Sequence, residues 1–116
     1  MKKSIGPEKV KTAVFISGKG SNLKNLIKFS KLKNYPFSVD LIISNTKKAK
    51  GLKYSKQYRI EKKIINYEKK NKVDNKILHI LNKKKIKLIC LAGFMKILSK
   101  NFIKKFEGKI INIHPS

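Results

Sequence analysis

Four times along this chain a short apolar run ends in a cluster of glycine or small polar residues. Thr12-Ala13-Val14-Phe15-Ile16-Ser17 leads into Gly18-Lys19-Gly20-Ser21-Asn22, and Phe37–Ser44 leads into Asn45-Thr46. Ile86–Leu91 leads into Ala92-Gly93-Phe94-Met95-Lys96-Ile97-Leu98, and Ile110-Ile111-Asn112-Ile113 leads into His114-Pro115-Ser116. The first and third of these runs lack polar alternation and so read as strands covered on both faces, as in a parallel sheet. Between them the apolar spacing turns helical. Leu23, Leu26 and Ile27 follow the first cluster, and Val73, Ile77, Ile80 and Leu81 form an i, i+4, i+7, i+8 stripe. The expected fold class is therefore α/β, with a mostly parallel open sheet built from βαβ units. In such sheets ligands bind outside the carboxyl ends of the strands. Each of the four clusters falls at such an end, and that coincidence is the physical argument for a site.

The rest of the chain fits the same scheme. Residues 1–11 read as a loose, Lys-rich lead-in and 12–116 as the domain. Gly51–Tyr58 reads as a short helix with Leu52 and Tyr54 or Ser55 facing inward, and Lys63-Ile64-Ile65 as a weak third strand. Asn71–Lys84 carries the amphipathic stripe, with His79 beside it in an exposed position. Ser99 is placed to cap a helix over Lys100–Phe106 that Gly108 ends.

Composition excludes several classes. No apolar run approaches a membrane span, and Met1-Lys2-Lys3-Ser4 is followed by polar residues rather than a signal-peptide core. The lone cysteine, Cys90, cannot form an internal disulfide and reads as a buried thiol of a cytoplasmic protein. No Cys/His cluster has metal-ligand spacing, so no metal is expected. The net charge of +24 raises nucleic acid as a partner. Against it, Arg59 is the only arginine among 30 basic residues, and lysine is the poorer residue for bidentate contacts. The lysines are also spread along the chain, with Lys83-Lys84-Lys85 the longest run, as a solvated surface requires.

Gly18–Asn22 is neither a full dinucleotide fingerprint nor a P-loop. It does set backbone N–H groups, the Ser21 hydroxyl and the Asn22 amide at a helix N-terminus, where the dipole favours a phosphate. Taken alone it equally suits an ordinary strand-to-helix turn with a Ser cap. Phe94–Leu98 could wall a pocket for a flat ring or pack into the core. Asn112 and His114, two residues apart on a strand, share a face, and Pro115 stops the strand beyond them. A donor amide beside a titratable ring suits chemistry in which charge develops on an oxygen.

Taken together, these residues resemble the folate-dependent phosphoribosylglycinamide formyltransferases, whose fold is a Rossmann-like open sheet. The resemblance is carried by Val14–Leu23, Ile43-Ser44-Asn45, Leu91–Ser99 and Ile111–Ser116, in the family's order and at about its spacing. It implies that Gly20, Ser21 and Asn22 hold the substrate's 5′-phosphate. It implies that Met95, Lys96, Ile97, Leu98 and Asn112 line the site of 10-formyltetrahydrofolate, the cosubstrate, and that Asn112 and His114 are catalytic. The family usually has arginine where Lys96 stands.

The implied reaction is formyl transfer to the amine of 5-phosphoribosylglycinamide in purine biosynthesis, with these small-molecule substrates as partners and with neither a membrane nor nucleic acid expected. The family's aspartate that holds the histidine protonated has no counterpart, since Asp40 and Asp74 occupy other positions. The expectation is thus of the amino-terminal part of such an enzyme, incomplete at its carboxyl end and inactive alone. Formyltetrahydrofolate deformylase shares the Asn…His pair but has no phosphoribosyl substrate for Gly18–Asn22 to hold. Methionyl-tRNA formyltransferase differs around the catalytic pair, and a basic nucleic-acid-binding module without catalysis is the alternative from another class.

Overall fold

The computed structural model describes residues 8–66, 70–96 and 98–113. Five strands alternate with helices: β1 (Val10–Ile16), α1 (Ser21–Ser30), β2 (Phe37–Ser44), a 3-10 turn (Lys50–Leu52) running into α2 (Lys53–Tyr58), β3 (Glu61–Ile64), α3 (Lys70–Lys83), β4 (Leu88–Ala92), α4 (Lys100–Lys105) and β5 (Lys109–Ile113). The strands form one sheet in the order β3-β2-β1-β4-β5, and every pairing is parallel. The expected α/β class and parallel open sheet are what the chain forms. Because β2 and β4 flank β1 on opposite sides, the strand order reverses at β1 and β4, the place where open α/β sheets bind ligands.

Apolar runs become strands here because both faces of the sheet are covered. Ala13, Phe15, Leu41, Ile43 and Ile89 pack on one face with Val73, Ile77 and Leu81 of α3 and Phe102 of α4. Val14, Ile16, Val39, Ile42 and Cys90 pack on the other with Leu23 and Ile27 of α1 and with Leu52 and Tyr54. The stripe read on α3 is thus the face it buries, and His79 beside it is exposed. Burial of this much apolar surface, at about 25 cal/mol per Å², is the main favourable term in the fold.

One irregularity interrupts the β1–β2 ladder. Thr12 pairs with Val39 but Ala13 pairs with Leu41, leaving Asp40 as an extra residue in β2. The Asp40 carboxylate accepts hydrogen bonds from the Thr12 N–H (3.2 Å) and the Ser38 hydroxyl (2.6 Å). The extra residue also changes the phase of the strand. Val39 packs on the α1/α2 face, whereas strict alternation from Leu41 and Ile43 would place it on the α3/α4 face.

Several boundaries differ from the sequence reading. β1 begins at Val10, ahead of its apolar run, because Val10 and Lys11 pair with Phe37 and Ser38. β3 covers Glu61–Ile64 and β4 Leu88–Ala92, each displaced by about two residues from the apolar run that suggested it. The helix expected at Gly51 starts as a 3-10 turn. Gly108 does not end α4: the helix stops at Lys105, with Phe106 extended beyond it. Gly108 instead passes the β4 approach so closely that a Cβ would stand 2.2 Å from the Lys87 carbonyl oxygen. Its role is to admit β5 to the sheet.

Candidate functional site

The carboxyl ends of β1, β2 and β4 meet at the reversal of strand order. After β1 the chain turns through Gly18-Lys19-Gly20 into α1. Gly20, not Ser21, occupies the N-cap, with φ 79°, and no side chain caps the helix. Ser21 is instead the first helical residue and is exposed. The first bond of the helical ladder runs from the Lys24 N–H to the Gly20 carbonyl (2.9 Å), so the amides of Ser21, Asn22 and Leu23 precede it. A glycine cap leaves this positive helix end open, where a Ser or Asp cap would have filled it with its own oxygen.

The loop is braced from the 3-10 turn. The Gly51 N–H donates to the Gly18 carbonyl (2.9 Å). A Cβ on Gly20 would stand 2.6 Å from the Gly51 Cα, so two backbones touch here without side chains between them. Gly51 is a site-forming residue that the sequence reading placed only as a helix start. Its signal was a glycine at the head of a short helix, where it disfavours helix by about 1 kcal/mol relative to alanine. The braced loop lines a cleft of about 110 Å³ formed by Gly18, Lys19, Gly20, Ser21, Asn22, Ala92 and Gly93. A larger concavity of about 680 Å³ lies elsewhere, lined by Lys11, Asp40, Glu61, Lys63, His79 and the Lys83–Lys85 run among others. It gathers around the amino ends of β1 and β3, away from the strand ends where such sheets place their ligands.

After β4, Gly93 turns the chain with φ +68°. Phe94 lies edge-on to Phe15, with ring centroids 5.3 Å apart at 87°. Met95 is 79% exposed and Lys96 is also exposed, whereas Leu98 turns into the core among Phe102 and its neighbours. The expected either-or for this stretch is therefore divided: its two ends pack and its middle faces outward. Ile97 lies outside the described residues. Ser99 then caps α4 as expected, its hydroxyl accepting from the Phe102 N–H (3.0 Å). The same hydroxyl donates to the Asp74 carboxylate on α3 (2.5 Å).

Two residues missed as site-formers join these loops. The Ser17 hydroxyl donates to the Asn45 Oδ1 (2.6 Å) and accepts from the Met95 N–H (2.8 Å). Asn112 stands opposite Leu91 in the β4–β5 register and is exposed. Leu91 and Ile110 both pack on the α3/α4 face, which puts Asn112 on that face with Phe94. The glycine loop and Asn112 thus flank the end of β4. His114 lies outside the described residues.

Cys90 is fully buried in β4, and burial pushes its thiol up to about 11, which makes it an inert core residue as expected. No helix among the described residues is long and apolar enough to cross a membrane.

A family model described as formyl transferase matches residues 10–116. The chain belongs to the formyl transferase family. Among its relatives, the trifunctional purine biosynthetic protein adenosine-3 of Gallus gallus is 42% identical over 115 residues, covering 97% of this chain and 12% of that protein. The phosphoribosylglycinamide formyltransferase of Haemophilus influenzae is 39% identical over 109 residues, covering 91% of this chain and 51% of that one. In structure, the formyl transferase chain matches the phosphoribosylglycinamide formyltransferase of Brucella melitensis with a TM-score of 0.87 at 34% identity, over 94% of this chain and 58% of that one. The resemblance read from the four motifs is upheld by these names and by the shared sheet. This formyl transferase chain spans about half the length of the bacterial relatives.

Proposed function

We propose that this chain carries the phosphate-binding and formyl-donor-binding elements of a phosphoribosylglycinamide formyltransferase. The reaction is transfer of the formyl group from 10-formyltetrahydrofolate to the glycinamide amine, in the cytoplasm. The observation that supports this best is the glycine-capped start of α1 beside the end of β4. The amides that precede the helical ladder there suit a monophosphate, and a deformylase has no phosphoribosyl substrate to place on them.

Gly20, Ser21 and Asn22 hold the 5′-phosphate and so fix the position of the amine at the other end of the substrate. Met95, Lys96, Ile97 and Leu98 border the donor's pterin. Since the Leu98 side chain is buried, its contribution is through the backbone. The amine attacks the formyl carbon and a tetrahedral oxyanion forms. Asn112, exposed at the end of β5, donates a hydrogen bond to that oxygen, a stabilisation that grows as charge develops. As the bond from the formyl carbon to the folate nitrogen breaks, the attacking amine gives up a proton and that nitrogen gains one. His114 stabilises the oxyanion as imidazolium or passes the proton to the departing nitrogen. Both aspartates of the chain are engaged elsewhere, Asp40 with Thr12 and Ser38 and Asp74 with Ser99. Neither aspartate is therefore placed to act as the carboxylate that keeps His114 protonated.

The test is formyl transfer by the intact gene product carrying this sequence. Asn112→Ala is expected to lower kcat by about 10²–10³ with little change in KM, as loss of one oxyanion donor does. An Asn112→Ala enzyme with wild-type kcat would remove Asn112 from the chemistry. Failure of the wild-type protein to bind either substrate would remove the whole assignment.

A further inference from the structure

We infer that Ser17, held by Asn45, is the positioning residue of the formyl-donor loop; this rests on the reading just given. A serine hydroxyl has one proton to donate. Here that proton goes to the Asn45 Oδ1 at 2.6 Å, which leaves a lone pair for the Met95 N–H at 2.8 Å. Ser17 follows β1, Asn45 follows β2 and Met95 follows β4, so one hydroxyl ties three strand ends across the reversal of strand order. The Met95 side chain is 79% exposed and provides little anchorage, so the loop's middle is held through its backbone. On one side of that bond Phe94 rests on Phe15, and on the other Leu98 enters the core.

Two consequences follow for the donor. The Met95 N–H is engaged within the protein, so Met95 offers the pterin its carbonyl and side chain. The height of the loop above the sheet is set by Ser17, which touches the loop and not the substrate. The glycine loop has a separate brace, the Gly51 N–H on the Gly18 carbonyl, so donor affinity and phosphate affinity are separable.

The test uses Ser17→Ala, Asn45→Leu and Asn45→Asp in the intact gene product. Ser17→Ala and Asn45→Leu are expected to raise KM for the formyl donor about tenfold, while KM for the glycinamide substrate stays within about twofold. Asn45→Asp keeps an acceptor for the Ser17 proton and is expected to restore donor KM. Hydrogen exchange at the Met95 amide is expected to quicken by at least about tenfold in Ser17→Ala. An equal loss for both substrates, or unchanged exchange at Met95, would overturn the assignment. A wild-type protein that turns over neither substrate defeats the functional reading instead, and exchange at Met95 then decides the positioning role by itself.

Discussion

Gly20 and Gly51 meet backbone to backbone, and neither position has room for a side chain. A Cβ on Gly20 would lie 2.6 Å from the Gly51 Cα, and one on Gly51 would lie 2.9 Å from both the Gly20 Cα and the Ile16 Cδ1. Gly20 carries a second constraint in its φ of +79°, which L side chains rarely adopt. The cleft proposed to hold the phosphate is therefore shaped by a contact between two segments 31 positions apart in the numbering, roughly one βαβ unit.

The contact can be separated from the dihedral. Gly20→Ala meets both obstacles and is expected to cost about 1–3 kcal/mol in denaturant unfolding. Gly51→Ala meets only the close approach. It is expected to cost less while still weakening binding of a phosphorylated ligand, measured by titration calorimetry. Wild-type phosphate affinity in Gly51→Ala would mean that the glycine loop holds its shape unaided.

Ser99 joins α3 to α4 through one hydroxyl. Ser99→Ala removes the cap on α4 and leaves the largely buried Asp74 carboxylate without its 2.5 Å donor. A loss of about 1–3 kcal/mol is expected. Ser99→Thr keeps both bonds and is expected to recover most of that stability. Equal melting temperatures for wild type and Ser99→Ala would contradict the tie.

Cys90 titrates at about 11 because its surroundings disfavour the thiolate. At pH 8 the thiolate fraction is on the order of one in a thousand, so alkylation of the native protein should be very slow and should become rapid on unfolding. The sign for stability follows. The unfolded thiol ionises near its ordinary value of 9.0 and the folded one only near 11, so the advantage of the buried thiol is complete below pH 9 and is lost as pH rises toward 11. Rapid labelling of folded protein at pH 8 would count against this account.

Lys84 donates to Glu61 at 2.7 Å and holds that carboxyl below its ordinary value, with Lys63 adding a weaker attraction at 3.6 Å. A depressed carboxyl stabilises the fold above its unfolded value of about 4.5, and that contribution is lost as pH falls through the lower folded value. The pair is exposed, so its effect is small and screened by salt. Lys84→Met should move the Glu61 titration, followed by NMR, back toward its ordinary value. No movement would show that the pair does not persist in solution.

The centre of the sheet was legible because β1, β2 and β4 are largely buried, which makes most of each an apolar run. The edge strand β3 is exposed along its length and left only a weak signal. The face of α3 was legible because Val73, Ile77 and Leu81 recur at helical spacing. What escaped depends on partners far off in the chain. Ser21 is the residue type preferred at an N-cap, yet Gly20 takes that place because the loop must fit against Gly51. Gly108 looks like a helix stop until β5 is laid beside Lys87. The segment proposed to hold the phosphate was visible as a glycine cluster. Ser17 drew no notice as a site residue, because its two partners are 28 and 78 residues away.

The extra residue at Asp40 has an effect at the far end of its strand. Before it, partners on β1 and β2 differ by 27 in number, as Thr12 and Val39 do; after it they differ by 28, as Ala13 and Leu41 do. Ser17 and Asn45 differ by 28 as well. Had β2 zipped onto β1 in step with its amino half, Ser44 would stand level with Ser17, and Asn45 would be one place too far along. Adjacent residues of a strand point to opposite sides, so the Asn45 amide would be aimed across the sheet and the Ser44 hydroxyl would stand beside Ser17 in its place. A one-residue adjustment beside Thr12 thus sets the hydrogen-bonding partner found about 16 Å away, at the rim where the two substrates are proposed to meet.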